Sequence, residues 1–277
     1  MQNISIKKLV KQNMAAFINT SLPLQETHNK FIVFIFNIYT HMNDKCIFII
    51  IIIIILIALV VGLLCYFFRK GNNHINDQNY QLAFASNDEP YDKPFMMQKF
   101  ITPEKCREII AFASNKLVDS EVIGGKHKNI RNSQQCWISK NSQHVKQMFD
   151  YVAQSFNIPF ENAEDLQVVR YLPGQYYNEH HDACCDNNEK CMAFVKKGGQ
   201  RMLTVLIYLN NEFSEGHTYF KNLNLKIKPP TGDAIVFFPL AKGTNKCHPL
   251  ALHAGMPVTA GEKWIANLWF REHKFTP

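Results

Sequence analysis

No Cys-x-x-Cys pair occurs among the eight cysteines of this chain. A zinc knot therefore lacks its usual ligand spacing, although it stays in competition with disulfides and with free thiols. No basic run is interleaved with aromatics, and the formal charge of +7 is modest for 277 residues. A nucleic-acid surface does not follow from such a composition; a solvated, mildly basic surface accounts for it. No internal repeat is present, and an isoleucine run is the one low-complexity segment. That run lies in residues 46–68, "CIFIIIIIIILIALVVGLLCYFF", 23 residues with no charge at all. As a helix they would reach roughly 34 Å at about 1.5 Å per residue, enough for a bilayer core of about 30 Å. Such a segment is too long, and starts too far into the chain, for a cleaved signal peptide, so the expectation is a single transmembrane signal-anchor.

The anchor divides the chain into an N-terminal tail over 1–45, the span over 46–68, a polar linker over 69–93 and a folded part over 94–277. The tail contains "FIVFIFNIY", residues 31–39, too short to span. Lysines 7, 8, 11, 30 and 45 precede the span, while Arg69 and Lys70 follow it at once. Near the ends the two sides almost tie. The upstream excess slightly favours a cytoplasmic N-terminus and a lumenal or external C-terminal part. Six cysteines follow the span (106, 136, 184, 185, 191, 247), three of them in "CCDNNEKC". A disulfide-bearing domain in an oxidising compartment is one reading of them.

The folded part begins with helices. "TPEKCREIIAFASNKL", 102–117, offers a Thr N-cap and Pro at the first helical position, and "SQHVKQMFDYVAQSF", 142–156, is amphipathic. From about residue 166 short strands alternate with turn residues: "LQVVRYL", "RMLTVLIYLN", "GHTYF", "LKIKPP", "DAIVFF" and "KWIANLWF". Helices followed by many short strands predict an α+β domain with a strand-built sandwich or barrel.

Within it, "NEHHD" places His180 and Asp182 two residues apart, and "LALHAGM" supplies His253 from a distant strand. Two histidines and one carboxylate suit a facial Fe(II) triad with open positions, and suit a zinc hydrolase equally by residue type. Ten residues after His253 lies Lys263. Strand alternation puts Lys263, Ile265, Asn267 and Trp269 on one face. A lysine on an apolar barrel face needs a charged partner, which a dicarboxylate would supply; a lysine on an exposed edge strand needs none.

Taken in order, "RYLPGQYYNEHHD", "GGQRMLTVLIYLN", "GHTYF", "PPTGDAIVFF", "LHAGMPV" and "GEKWIANLWF" resemble the prolyl 4-hydroxylase branch of the Fe(II)/2-oxoglutarate dioxygenases. The resemblance covers most of residues 166–273, and the helices from about 94 fit the family's N-terminal part. It implies a double-stranded β-helix, or jelly-roll, with Fe(II) held by His180, Asp182 and His253. It also implies 2-oxoglutarate held at its far carboxylate by Lys263, with Tyr171, Tyr208 and Thr218 around it, and O2 and ascorbate as further cofactors. Arg201, Trp269 and Tyr177 match positions near a peptide groove. His181 and Glu179 are expected to be bystanders. The implied substrate is a proline-containing peptide, hydroxylated at C4 with release of succinate and CO2, as in procollagen-proline 4-dioxygenases. Peptidyl lysine, an alkylated nucleic acid, or an inactive membrane-tethered binding protein are the rival readings. Two departures from the family pattern bear on the peptide rather than the iron: "EGHT" at 215–218 replaces a Gly-Gly-Glu-Thr run, and the loop after Asp182 carries three cysteines.

Overall fold

The computed structural model describes residues 49, 52–53, 55–62, 82–121, 125, 127 and 129–277. The chain divides between residues 74 and 75 into two units. In the first, the described residues are helical, and their isoleucine, leucine and valine side chains are exposed. Among the described residues no helix is long and apolar enough to cross a membrane. The remainder of the expected span, and residues 69–81 of the expected linker, lie outside the described residues.

Among its described residues the second unit has thirteen strands and three α-helices. The strands are β1 (Phe95–Met97), β2 (Val118–Asp119), β3 (Gln134–Ile138), β4 (Leu166–Tyr171), β5 (Tyr177–His180), β6 (Arg201–Tyr208), β7 (Phe213–Glu215), β8 (Thr218–Phe220), β9 (Leu225–Ile227), β10 (Ala234–Phe237), β11 (His253–Gly255), β12 (Val258–Gly261) and β13 (Lys263–Arg271). The helices are α1 (Pro103–Ser114), α2 (Lys146–Phe156) and α3 (Glu189–Val195). A seven-stranded antiparallel sheet runs β1-β10-β6-β13-β4-β3-β2, and a four-stranded one runs β5-β11-β8-β9. Both sheets are antiparallel throughout, consistent with a jelly-roll.

The period of two along the large sheet creates two cores. On one face Leu203, Val205 and Ile207 of β6, with Ala266, Leu268 and Phe270 of β13, pack against Ile109 of α1 and Phe149 of α2. On the other face Leu206 and Tyr208 of β6, Ile265 of β13, and Val169 and Tyr171 of β4 meet Phe220 of the small sheet. Every residue of β13 is buried, as a strand covered on both faces must be. α1 starts where its sequence says: Thr102 Oγ1 accepts from the Lys105 amide and Pro103 opens the helix. α2 begins four residues later than the amphipathic pattern, because Ser142–Val145 is spent on a turn.

Residues 82–92 correct the expected linker. Polar composition suggested a free tether over 69–93, but this segment packs on the loop at 240–248. The Ala85 and Cys247 amides donate to the carbonyls of Cys247 and Ala83. Tyr91 stacks on His248 at 4.4 Å, and Lys246 pairs with Glu89 at 3.2 Å. Of the six cysteines, Cys184 is bonded to Cys191 and Cys185 to Cys247, while Cys106 and Cys136 are free and buried. The two bonds are the centres of two small satellite clusters, one with Leu82 and Val195, the other with Ala183 and Leu240.

Phe149 is fully buried and touches Phe160 and Phe270 edge-on or tilted. Phe149→Ala is expected to lower unfolding stability by about 3–5 kcal/mol in denaturant titration. A loss under about 1 kcal/mol would show that α2 does not seal the outer face of the sheet.

Candidate active site

Antiparallel pairing of β5 with β11 sets His180 directly opposite His253. Opposed side chains on one sheet face are neighbours, and the two imidazole centroids lie 4.3 Å apart. Asp182, two residues past His180, returns to the same side. His180 Nε2 is 3.7 Å and His253 Nε2 3.9 Å from Asp182 Oδ1, and the three ligand atoms lie within 4.8 Å of one another.

The hydrogen bonds behind these atoms fix which atoms face inward. His180 Nδ1 donates to the Asn178 carbonyl at 2.8 Å, and His253 Nδ1 donates to the Ala251 carbonyl at 2.9 Å. A carbonyl can only accept, so each Nδ1 carries a proton and each Nε2 is the ring nitrogen left to face the site. Asp182 Oδ2 accepts from Thr204 Oγ1 at 2.7 Å and from Trp269 Nε1 at 3.0 Å, leaving Oδ1 turned to the imidazoles. Burial, reinforced by His253, holds the His180 pKa well below the ordinary imidazole range. Burial alone would raise that of Asp182. The imidazoles of His253 and His180, the Arg201 guanidinium and the Trp269 indole N–H outweigh it and hold the carboxyl at about 2. Two imidazole Nε2 atoms and an ionised carboxylate oxygen are the donor set an Fe(II) facial triad requires, so these residues fit the metal.

Lys263 opens β13 opposite Tyr171 of β4 and is 1 % exposed. Its Nζ donates to the Gly216 carbonyl at 2.7 Å and lies 4.9 Å from the Tyr208 ring and 5.3 Å from the Tyr171 ring. No carboxylate pairs with it among the described residues. Burial, assisted by the charge of Lys228, lowers its pKa to about 7. Of the two sequence readings of Lys263, the exposed edge strand is excluded: β13 is central, between β6 and β4.

The triad and Lys263 line one cavity of about 510 Å³, together with Tyr171, Tyr177, Thr218, Arg201 and Trp269. Tyr208 does not line it. Its hydroxyl is 2.8 Å from Thr218 Oγ1 and accepts from the Thr218 amide at 3.1 Å, so it holds Thr218 in place. Tyr177 stacks on the His180 ring, with centroids 3.5 Å apart. Trp269 does more than line a groove, because its indole holds a metal-ligand oxygen. Arg201 lies 3.5 Å over the Trp269 ring and is clamped by Glu164 through bonds of 2.6 and 2.8 Å. Glu179 is exposed and pairs with Lys221 at 3.2 Å, and His181 packs edge-on to Phe84 outside the triad.

Sequence reasoning did not single out Glu164, Arg131, Gln135, Gln167 or Arg271. Glu164 accepts from both Arg201 and Arg271, and Arg131 lies 4.7 Å over the Tyr177 ring. Gln167 had a readable signal: alternation along β4 places it on the same face as Tyr171. Gln135 had none, since "QQCWI" shows no apolar alternation.

In the folded, ligand-free protein Lys263 releases its proton near pH 7, whereas the unfolded chain keeps it to about pH 10. Its contribution to stability therefore grows as pH rises across that window. A bound dianion restores the ammonium, so calorimetry at pH 8 in buffers of different ionisation enthalpy should show proton uptake with 2-oxoglutarate. Lys263→Met should abolish that uptake and weaken co-substrate binding by about 2–5 kcal/mol. Binding without proton uptake would place the dicarboxylate elsewhere.

The family model of the 2OG-Fe(II) oxygenase superfamily matches residues 166–271. The "Putative prolyl 4-hydroxylase" of Acanthamoeba polyphaga mimivirus is 62% identical over 213 residues, 76% of this chain and 88% of that protein. Prolyl 4-hydroxylase 5 of Arabidopsis thaliana is 31% identical over 201 residues, 64% of this chain and 67% of that one. Among solved structures, the viral collagen prolyl hydroxylase of Paramecium bursaria Chlorella virus-1, in its 2OG complex, superposes with a TM-score of 0.52 at 33% identity. That match covers 67% of this chain and 98% of the other. Identity of this order across most of both chains leaves a single family for these residues: the chain belongs to the prolyl 4-hydroxylase branch of the 2OG-Fe(II) oxygenases.

Proposed function

We infer that the chain is a peptidyl-prolyl 4-hydroxylase. It uses Fe(II), 2-oxoglutarate, O2 and ascorbate, and yields 4-hydroxyproline, succinate and CO2. The observation that carries this reading is one cavity holding both an Fe(II)-type donor set and a buried lysine with no carboxylate partner. When bound, the iron would activate O2, the oxidant whose two atoms go to succinate and to the hydroxylated C–H bond. The chain supplies position. His180, Asp182 and His253 hold the metal, and the bonds from Thr204 and Trp269 keep Asp182 turned toward it. Lys263 takes the far carboxylate of 2-oxoglutarate, with Thr218 beside it. Leu206 and Ile265 give the cavity an apolar wall. At the other end Trp137 and Trp269, ring centroids 6.1 Å apart, form an aromatic wall suited to prolyl rings.

The test uses the full-length protein with Fe(II), 2-oxoglutarate and ascorbate. Pro-Pro-Gly and Ser-Pro peptides should stimulate succinate release and gain one oxygen atom on proline. His180→Ala should reduce both to background. Succinate release with no oxidised peptide would move the substrate to another class. No succinate from folded, iron-loaded protein would remove the enzymatic reading.

We further propose that residues 46–68 anchor the enzyme as a single-pass signal-anchor, with the catalytic unit lumenal or external. The uncharged 23-residue run and the upstream lysines support this, as do two disulfides that suit an oxidising compartment. In sealed microsomes the catalytic unit should resist added protease until detergent is present. Digestion in intact vesicles would reverse the orientation, and recovery in the soluble fraction would remove the anchor.

A further inference from the structure

Three side-chain amides on the cavity wall, outside the triad and Lys263, form a row. Gln167 of β4 stands opposite Asn267 of β13, and Gln135 of β3 lies diagonally across from Gln167. Asn267 Nδ2 donates to Gln167 Oε1 at 3.0 Å, and Gln167 Nε2 donates to Gln135 Oε1 at 2.7 Å. The three residues are 8 %, 3 % and 5 % exposed, and all line the cavity. Asn267 is the inward residue next to Trp269, which holds Asp182, so the row lies alongside the metal triad.

Each amide sets the orientation of the next, since reversing Gln167 alone would oppose NH2 to NH2 and oxygen to oxygen. A row of three amides therefore leaves one donor end and one acceptor end. Here the ends are the Gln135 NH2 and the Asn267 carbonyl oxygen; neither has a protein partner among the described residues, and both belong to residues that line the cavity. Neighbouring inward positions on the same strands are apolar, Val169 and Ile265. Among such residues the two amide ends are the hydrogen-bonding groups that this stretch of the wall offers to a ligand in the cavity.

We propose that the Gln135–Gln167–Asn267 row reads the backbone of the bound peptide, and that its acceptor end selects substrates with a backbone N–H beside the target proline. The proposal rests on the peptidyl-prolyl reading above. A polyproline II chain makes no internal hydrogen bonds, so its backbone groups face the groove. Every residue of a proline-rich chain offers a carbonyl to the donor end. Proline has no N–H, so only a non-prolyl residue can satisfy the acceptor end. The substrate class is thus proline-rich chain interrupted by other residues, in preference to unbroken polyproline.

The test is a scan of a Gly-Pro repeat peptide with the full-length, iron-loaded enzyme, replacing one glycine at a time by sarcosine, which removes only the N–H, or by alanine, which keeps it. KM and kcat are followed by proline oxidation and Kd by calorimetry. At one position sarcosine should raise Kd and KM by about three- to tenfold, the value of one hydrogen bond, with kcat held within about twofold and alanine tolerated. Asn267→Leu, which removes the acceptor, should bind the glycine peptide weakly and show no further sarcosine penalty. A flat sarcosine scan, or a penalty that persists in Asn267→Leu, overturns the proposal. If the variant loses its cooperative melting transition, the wild-type scan decides alone. No oxidation of the parent peptide would instead overturn the prolyl hydroxylase reading, which separates the two failures.

Discussion

The carboxylate of Asp182 is where the two sheets meet chemically. One oxygen is held by Thr204 and Trp269, from the central strands β6 and β13 of the large sheet. The other faces His180 and His253, paired across β5 and β11 of the small sheet. Neither sheet alone makes a metal site. The large sheet has the indole and hydroxyl donors but no imidazole near them, and the small sheet has imidazoles whose third partner lies past its edge. Sheet-to-sheet packing around Phe220, Phe237 and Ile265 is therefore also what sets the coordination geometry.

Buried charge is handled in opposite ways at the two ends of the cavity. At the groove end Glu164 accepts from Arg201 and Arg271. Burial would raise its pKa, but the two guanidiniums outweigh that and lower it. The array is complete within the protein, so it stiffens Arg201 against Trp269 and through Trp269 steadies Asp182. At the co-substrate end Lys263 has only a neutral carbonyl, and its charge is suppressed. Self-paired charge keeps the wall in place whether or not ligand is bound. The lysine gains a counter-charge when a carboxylate binds beside it, which makes that end suited to an acidic ligand.

The cysteine-rich loop and the segment at 82–92 act from behind the metal site. Cys185 follows Asp182 by three residues and Cys247 precedes His253 by six, so their bond joins the two ligand-bearing segments outside the strand pairing. The Cys184–Cys191 bond secures α3, whose Phe194 lines the groove. Leu82 and Phe84 lie over this assembly. These clusters are too small to be held by hydrophobic burial alone, and the covalent links supply what the apolar area does not.

Much of this was legible in the chain itself. The pair at 180 and 182, the histidine at 253 and the lysine at 263 are marked by spacing and alternation, because ligand and strand periodicities are local. The Thr102 cap and the strands of 166–270 are local for the same reason. The extent of the polar segment before residue 94 was misread, since its bonds run to residues about 150 positions away in the chain. Alternation put Tyr208 on the cavity side of β6 but could not show that its hydroxyl is bonded to Thr218. Gln135 was invisible because its partner is on another strand. The sequence by itself determined which chemistry the cavity can hold, through the identity of a few ligands on short strands. Only the tertiary structure decided how those ligands are held, because the groups that orient them come from distant strands whose register no local pattern encodes.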